Sequence, residues 1–235
     1  MKKLRNMLVA VIAMVGLTTS AQSFEGWGVG GTLSFVDFST SGSETANANG
    51  AQETGATSAD KNSTSVSKDV DIGSFFLEYT LPQGSTFGLE YVPGEGELGA
   101  KSRTDTASDS NEATDDSGTY TAKAELDNVI QFYADIPLGS YPVYVKVGMQ
   151  HVTLVTLESL NSGSTYPDAD LMGLTVGIGT KGDMPFVAND SIYYKLEATY
   201  TDFESYSSDS DGSTGNKVEA DLEDTAVKLS IGYKF

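Results

Sequence analysis

The closing stretch, residues 225–235, leaves the chain few folds to choose from. Thr225, Val227, Leu229, Ile231, Tyr233 and Phe235 alternate with Ala226, Lys228, Ser230, Gly232 and Lys234. Successive side chains of a strand point to opposite faces, so this is a strand with one apolar and one polar face. The sequence stops on an aromatic residue of the apolar face, where a soluble sandwich has no reason to place one.

The same design recurs upstream. Alternation predicts strands over residues 25–38, 70–81, 86–93, 119–136, 141–157, 171–180 and 191–203, eight with the closing one. In the first, Trp27, Val29, Leu33 and Phe35 oppose Gly28, Gly30, Thr32 and Ser34. In the fourth, Leu126, Ile130, Phe132 and Ile136 oppose Lys123, Glu125, Asp127 and Gln131. The connections run long, short, long, short, long, short, long. Residues 39–68, 94–118, 158–170 and 204–221 are rich in Ser, Thr, Asp and Gly, lack apolar periodicity, and read as mobile loops. Pro82 to Ser85 and Pro137 to Ser140 make tight turns, and residues 181–190 a longer one.

Long and short connections in alternation are the rhythm of an up-and-down antiparallel barrel crossing a membrane, with the long loops outside. Closure is required, because an open sheet edge in hydrocarbon leaves unpaired backbone groups costing several kcal/mol each. The expected fold is all-β: a transmembrane, eight-stranded, up-and-down antiparallel barrel.

Residues 1–23 read as a cleavable signal peptide and residues 24–235 as the barrel domain. Lys2, Lys3 and Arg5 precede an apolar run from Met7 to Leu17, which is shorter than the ~20 residues a helix needs to span a bilayer. Without the three basic residues of the leader, 11 Lys and Arg remain against 33 Asp and Glu. A surface that acidic excludes nucleic acid as a partner, since phosphate binding requires basic surface. There is no cysteine, hence no disulfide framework and no thiolate chemistry.

The terminal pair Tyr233 and Phe235, preceded by alternating aliphatics, resembles the closing strand of bacterial outer-membrane β-barrels. The whole mature chain is similar to the small eight-stranded barrels of the OmpA-transmembrane, OmpX and OmpW kind. That resemblance implies a place in the outer membrane among its lipids and lipopolysaccharide. It also implies that Tyr233 and Phe235 form the insertion signal read by the barrel-assembly machinery. No peptidoglycan-binding domain follows the strands, so a cell-wall tether does not carry over. With the outer faces committed to lipid, a monomer is expected.

The inward faces carry charges of both signs: Glu78, Glu90, Lys123, Glu125, Asp127, Lys146, Lys195, Glu197 and Lys228. An eight-stranded barrel has an interior just wide enough for side chains to fill, so these are expected to pair into a polar plug. The alternative is a gate whose pairs exchange partners and pass small solutes.

His151, the single histidine, is expected to face lipid with Thr153. It resembles the lipid A deacylases, barrels that hydrolyse acyl chains with an outward His and a Ser two residues on. Here Thr153 holds the second position and the sequence offers no acid to orient the imidazole. Asp209 to Gly212 resembles part of a calcium loop but has Ser207 and Val218 where that pattern needs acids. The expectation is a protein with no enzymatic activity, metal or cofactor: a structural or surface-interaction barrel, or else a small-solute porin.

Overall fold

A computed structural model describes residues 25–45, 61–105, 118–157, 165–184, 191–209 and 217–235. Residues 1–23, expected to be a signal peptide, lie outside them, as do the middles of the long connections and residues 185–190. Ten β-segments follow one another: β1 Gly26–Thr45, β2 Lys61–Thr80, β3 Thr86–Val92, β4 Gly96–Asp105, β5 Gly118–Pro137, β6 Val143–Thr156, β7 Ala169–Asp183, β8 Ile192–Phe203, β9 Tyr206–Asp209 and β10 Lys217–Lys234. β3 and β4 are two halves of one stave, broken at Pro93 and Gly94, and both pair with β5. β8 and β9 are likewise one stave, both paired with β10. Each stave pairs antiparallel with its neighbour, and β1 pairs with β10 from Gly28↔Lys234 to Thr45↔Lys217. The result is a closed eight-stave antiparallel barrel.

The turn-side half has the polarity of a protein in lipid. Outward from it point Trp27, Phe35, Phe75, Phe87, Phe132, Leu174, Ile231 and Phe235, each at least 41% exposed. On β1 the apolar outward run from Trp27 to Phe35 is about 26 Å long at ~3.3 Å per residue, which at the ~40° tilt of barrel strands covers roughly 20 Å of height, the order of the ~25 Å band of transmembrane barrels. A continuous apolar girdle of this kind is far larger than the patches a soluble monomer exposes. The chain is a transmembrane β-barrel.

The distal half extends farther than expected and reverses the pattern. Residues 39–45, 61–68, 96–105 and 217–221 lie in strands, not loops. Their alternation goes unnoticed in the sequence because both faces there are made largely of Ser, Thr, Gly and acids. Here the outward positions are Asp37, Asp69, Asp71, Asp170, Asp202 and Glu223, while Val36, Phe38, Leu126, Val152, Leu154, Leu171, Phe203 and Leu222 fill the interior. An apolar interior under a charged wall is how a barrel folds in water. The membrane boundary is therefore written into each stave as the rung where the polarity changes sides.

One stave reaches this reversal through a bulge. Between Asp127 and Ile130 the β5–β6 register shifts, and Asn128 has φ of 52°. Asn tolerates this left-handed conformation better than most residues, and its backbone and side-chain N–H groups both donate to Asp127, at 2.7 and 3.0 Å. The extra residue turns Leu126 inward, although it has the same parity as the lipid-facing Phe132.

Candidate functional site

The lumen at belt level is a layer of paired charges. Six of the nine expected residues meet there: Glu78, Glu90, Lys146, Lys195, Glu197 and Lys228, each buried or nearly so. Glu78 lies at the centre. Lys195 Nζ is 2.9 Å from it, and the hydroxyls of Tyr133 and Tyr193 donate to it at 2.7 and 2.9 Å. Lys195 also lies 3.1 Å from Asp135, and Lys146 bridges Asp135 at 3.5 Å and Glu197 at 2.8 Å. Tyr144 donates to Glu197 at 2.7 Å. A second pair, Lys228 and Glu90 at 3.0 Å, is tied to Ser74 and Gln131. Gln131 donates on to Thr175 and Thr175 bonds Thr201, carrying the network across the barrel. With Lys181, 3.8 Å from Glu78, four ammoniums face four carboxylates.

Glycines seat the tyrosines. A Cβ at Gly88 would lie 2.2 Å from the Tyr133 ring, one at Gly232 2.3 Å from Tyr193, and one at Gly179 2.5 Å from Tyr144. Each ring lies over the bare backbone of its cross-strand partner on the neighbouring stave, and its hydroxyl reaches a central carboxylate. Phe76 uses Gly30 in the same way. The inward glycines are thus sockets for the rings that fill the lumen.

Lys123, Glu125 and Asp127 are corrected. The bulge at Asn128 puts all three on the face opposite the buried Leu126, outside the lumen. Lys123 and Glu125 pair with each other at 2.7 Å, and Asp127 holds the bulge. The charged set expected in the lumen leaves out Asp135, Lys181 and the three tyrosines, although alternation already turns Tyr144 and Tyr193 inward. Asp135 and the tyrosines obey the same period of two and could have been found by it. Lys181 could not, because the turn was expected to begin at that residue.

His151 is on the outer wall with Thr153, as the register implied, at the upper edge of the belt. Asp170, on the neighbouring β7, lies 3.7 Å from His151 Nε2 and accepts a hydrogen bond from Thr153 at 2.9 Å. The order of contacts is wrong for a nucleophile. The hydroxyl gives its hydrogen to the carboxylate, whereas a triad needs the imidazole between the two. No group of three or more metal-ligating side chains occurs among the described residues. Of the Asp209–Gly212 stretch, residues 210–212 lie outside them.

Above the ionic layer is a cavity of about 170 Å³, bounded by the Glu90–Lys228 pair and Gln131 on one side and by Val36, Phe38 and Leu126 on the other. It reaches the outer wall between β2 and β4. The β2–β3 ladder stops at Phe75↔Tyr91. No pairing joins β2 to β4, and the two are next tied by Lys68 and Glu97 at 2.9 Å. That hydrogen bond, with the charge of Lys68, holds the Glu97 carboxyl below the usual carboxylate range.

No protein-family model matches the chain, and no curated protein matches it. Among solved structures it is similar to the outer membrane protease OmpT of Escherichia coli, at 10% identity over 93% of this chain and 99% of that one, with a TM-score of 0.46. It is also similar to Neisserial surface protein A, at 10% identity over 86% and 97% with a TM-score of 0.33. Ail, the attachment invasion locus protein of Yersinia pestis, gives 12% over 87% and 99% with a TM-score of 0.35. Such distant likeness assigns no activity.

Proposed function

We propose that the chain is a non-enzymatic, structural and surface-presenting protein of the bacterial outer membrane, with a lumen closed to solute. The observation that carries this is the double closure of the barrel. A salt-bridged layer whose central side chains, Glu78, Lys146, Lys195 and Glu197, are at most 2% exposed is followed by an apolar cluster at the distal end. An ion entering that layer must displace a partner from a buried ion pair, and must then cross apolar side chains. Lipid meets the belt, acidic strands and loops meet the medium, and Tyr233 and Phe235, both exposed on the outer face, are offered to the assembly machinery.

Single-channel recording of the refolded protein in a planar bilayer tests this reading. Insertion is first established by β-type circular dichroism and a heat-shifted gel band. A silent bilayer is expected, and steady unit openings would replace the plug with a porin. The enzyme reading is tested separately. His151→Ala is expected to leave lipid A acylation unchanged in cells, because the Thr153 hydroxyl donates to Asp170 and not to the imidazole.

A further inference from the structure

The cavity above the ionic layer is not needed to close the barrel, and its chemistry is specific. We propose that it is a binding site for a small hydrophobic amine, an aryl- or short alkylammonium, entering sideways through the seam between β2 and β4.

Three observations carry this. The first is the opening. Above Phe75↔Tyr91 the wall is held by side chains alone, and Asp71 and Gly73 of β2 face Pro93, Gly94 and Glu95 across the gap. A Cβ at Gly73 or Gly94 would meet nothing within 4 Å. Pro93 has no N–H to give, and Gly94 at φ of 89° turns the backbone away from a ladder. The window lies where the aromatic belt ends and the acidic wall begins, the depth at which an amphipathic amine collects in a bilayer.

The second is size and lining. A cavity of roughly 150 Å³ holds a benzene ring, and this one is of about 170 Å³ with Val36, Phe38 and Leu126 on its apolar side.

The third is charge. The layer beneath is balanced, four ammoniums against four carboxylates. Asp224 is a fifth carboxylate; it lines the cavity, is 6% exposed, and is hydrogen-bonded by Thr201. Lys228 points its short contacts elsewhere, at Glu90 and Gln131. Asp71 and Glu95 at the window add the same sign. A cation with a ring-sized tail satisfies both halves of the cavity; an anion satisfies neither.

Benzylamine, a cation at neutral pH, is the probe, titrated into the refolded full chain in micelles and followed by calorimetry and saturation-transfer NMR. Saturable binding is expected, with the neutral benzyl alcohol weaker by about tenfold or more. Asp224→Asn should weaken benzylamine by a similar factor and leave benzyl alcohol where it was. The chain has no cysteine, so Gly73→Cys can be labelled uniquely with a bulky maleimide. Labelling should abolish binding, while the unlabelled variant retains it. If Asp224→Asn does not fold, the labelled and unlabelled Gly73→Cys samples decide alone. Non-saturable partition equal to that of empty micelles would overturn the proposal. Equal affinity for the alcohol, or binding indifferent to the label, would overturn it too.

Discussion

Glu78 shows how much one buried side chain can be made to hold. It accepts from Tyr133 of β5 and from Tyr193 and Lys195 of β8, so removing its charge leaves four ammoniums in the lumen facing three carboxylates, with Lys195 held by Asp135 alone at short range. Glu78→Gln should lower stability by about 3 kcal/mol, the usual cost of breaking a buried pair from one side, read from the urea midpoint of the heat-modifiable band in vesicles. Glu78→Gln combined with Lys195→Met should recover part of that loss, because three ammoniums then face three carboxylates. An unchanged midpoint in the single variant would mean that the layer is hydrated and weak. Gly88 is the other sensitive position. Gly88→Ala drives a methyl into Tyr133 and should cost about 1–3 kcal/mol by overpacking, with little change expected for Ala at the open Gly73. At the seam, Glu97 gains from Lys68 only when ionised. That contribution is present above the ordinary carboxylate range and is lost as pH falls through the depressed value. Carbon-detected NMR of the Glu97 carboxyl should show a low titration that returns to the ordinary range in Lys68→Met.

Among the staves, β5 depends most on one local irregularity. Asn128→Val puts a β-branched residue at positive φ and should cost about 1–2 kcal/mol, while Asn128→Gly should be tolerated. Deleting Asn128 should do something different in kind. It restores plain alternation, turns Leu126 out of the distal core, and should leave the belt folded while the distal half of β5 becomes protease-sensitive. This bulge also marks where the sequence stopped being legible. Period two was read correctly from Phe132 to Ile136 and carried past Asp127 without cause to suspect a shift, which placed Lys123, Glu125 and Asp127 in the lumen. The breaks at Pro93 and at Glu204 were visible as strand ends, but nothing in composition said that pairing resumed beyond them. The inward charges of β2, β3, β6, β8 and β10 were legible because lipid enforces apolar residues on the other face. Where lipid stops, that enforcement stops, and the strands of the distal half read as loops.

As a whole the molecule joins a membrane barrel and a water-type barrel in one set of staves, and its tolerance to editing should divide at the same place. Replacing residues 46–60 by a short Gly-Ser link should leave a heat-modifiable barrel, because the β1–β2 ladder runs up to Thr45↔Lys61 without them. Removing all of 39–68 should not, since it takes away paired wall on both strands. Hydrophobic mismatch gives this two-part build a further meaning. Most barrels can ride a little deeper when a bilayer thickens, but this one has a fixed draught: sinking by two rungs would carry Asp37, Asp71, Asp170 and Asp202 into hydrocarbon. The bilayer must thin to meet the protein. Refolding yield across phosphatidylcholines of increasing chain length should therefore fall steeply once the hydrocarbon outgrows the run from Trp27 to Phe35, so the chain acts as a gauge of the membrane that receives it.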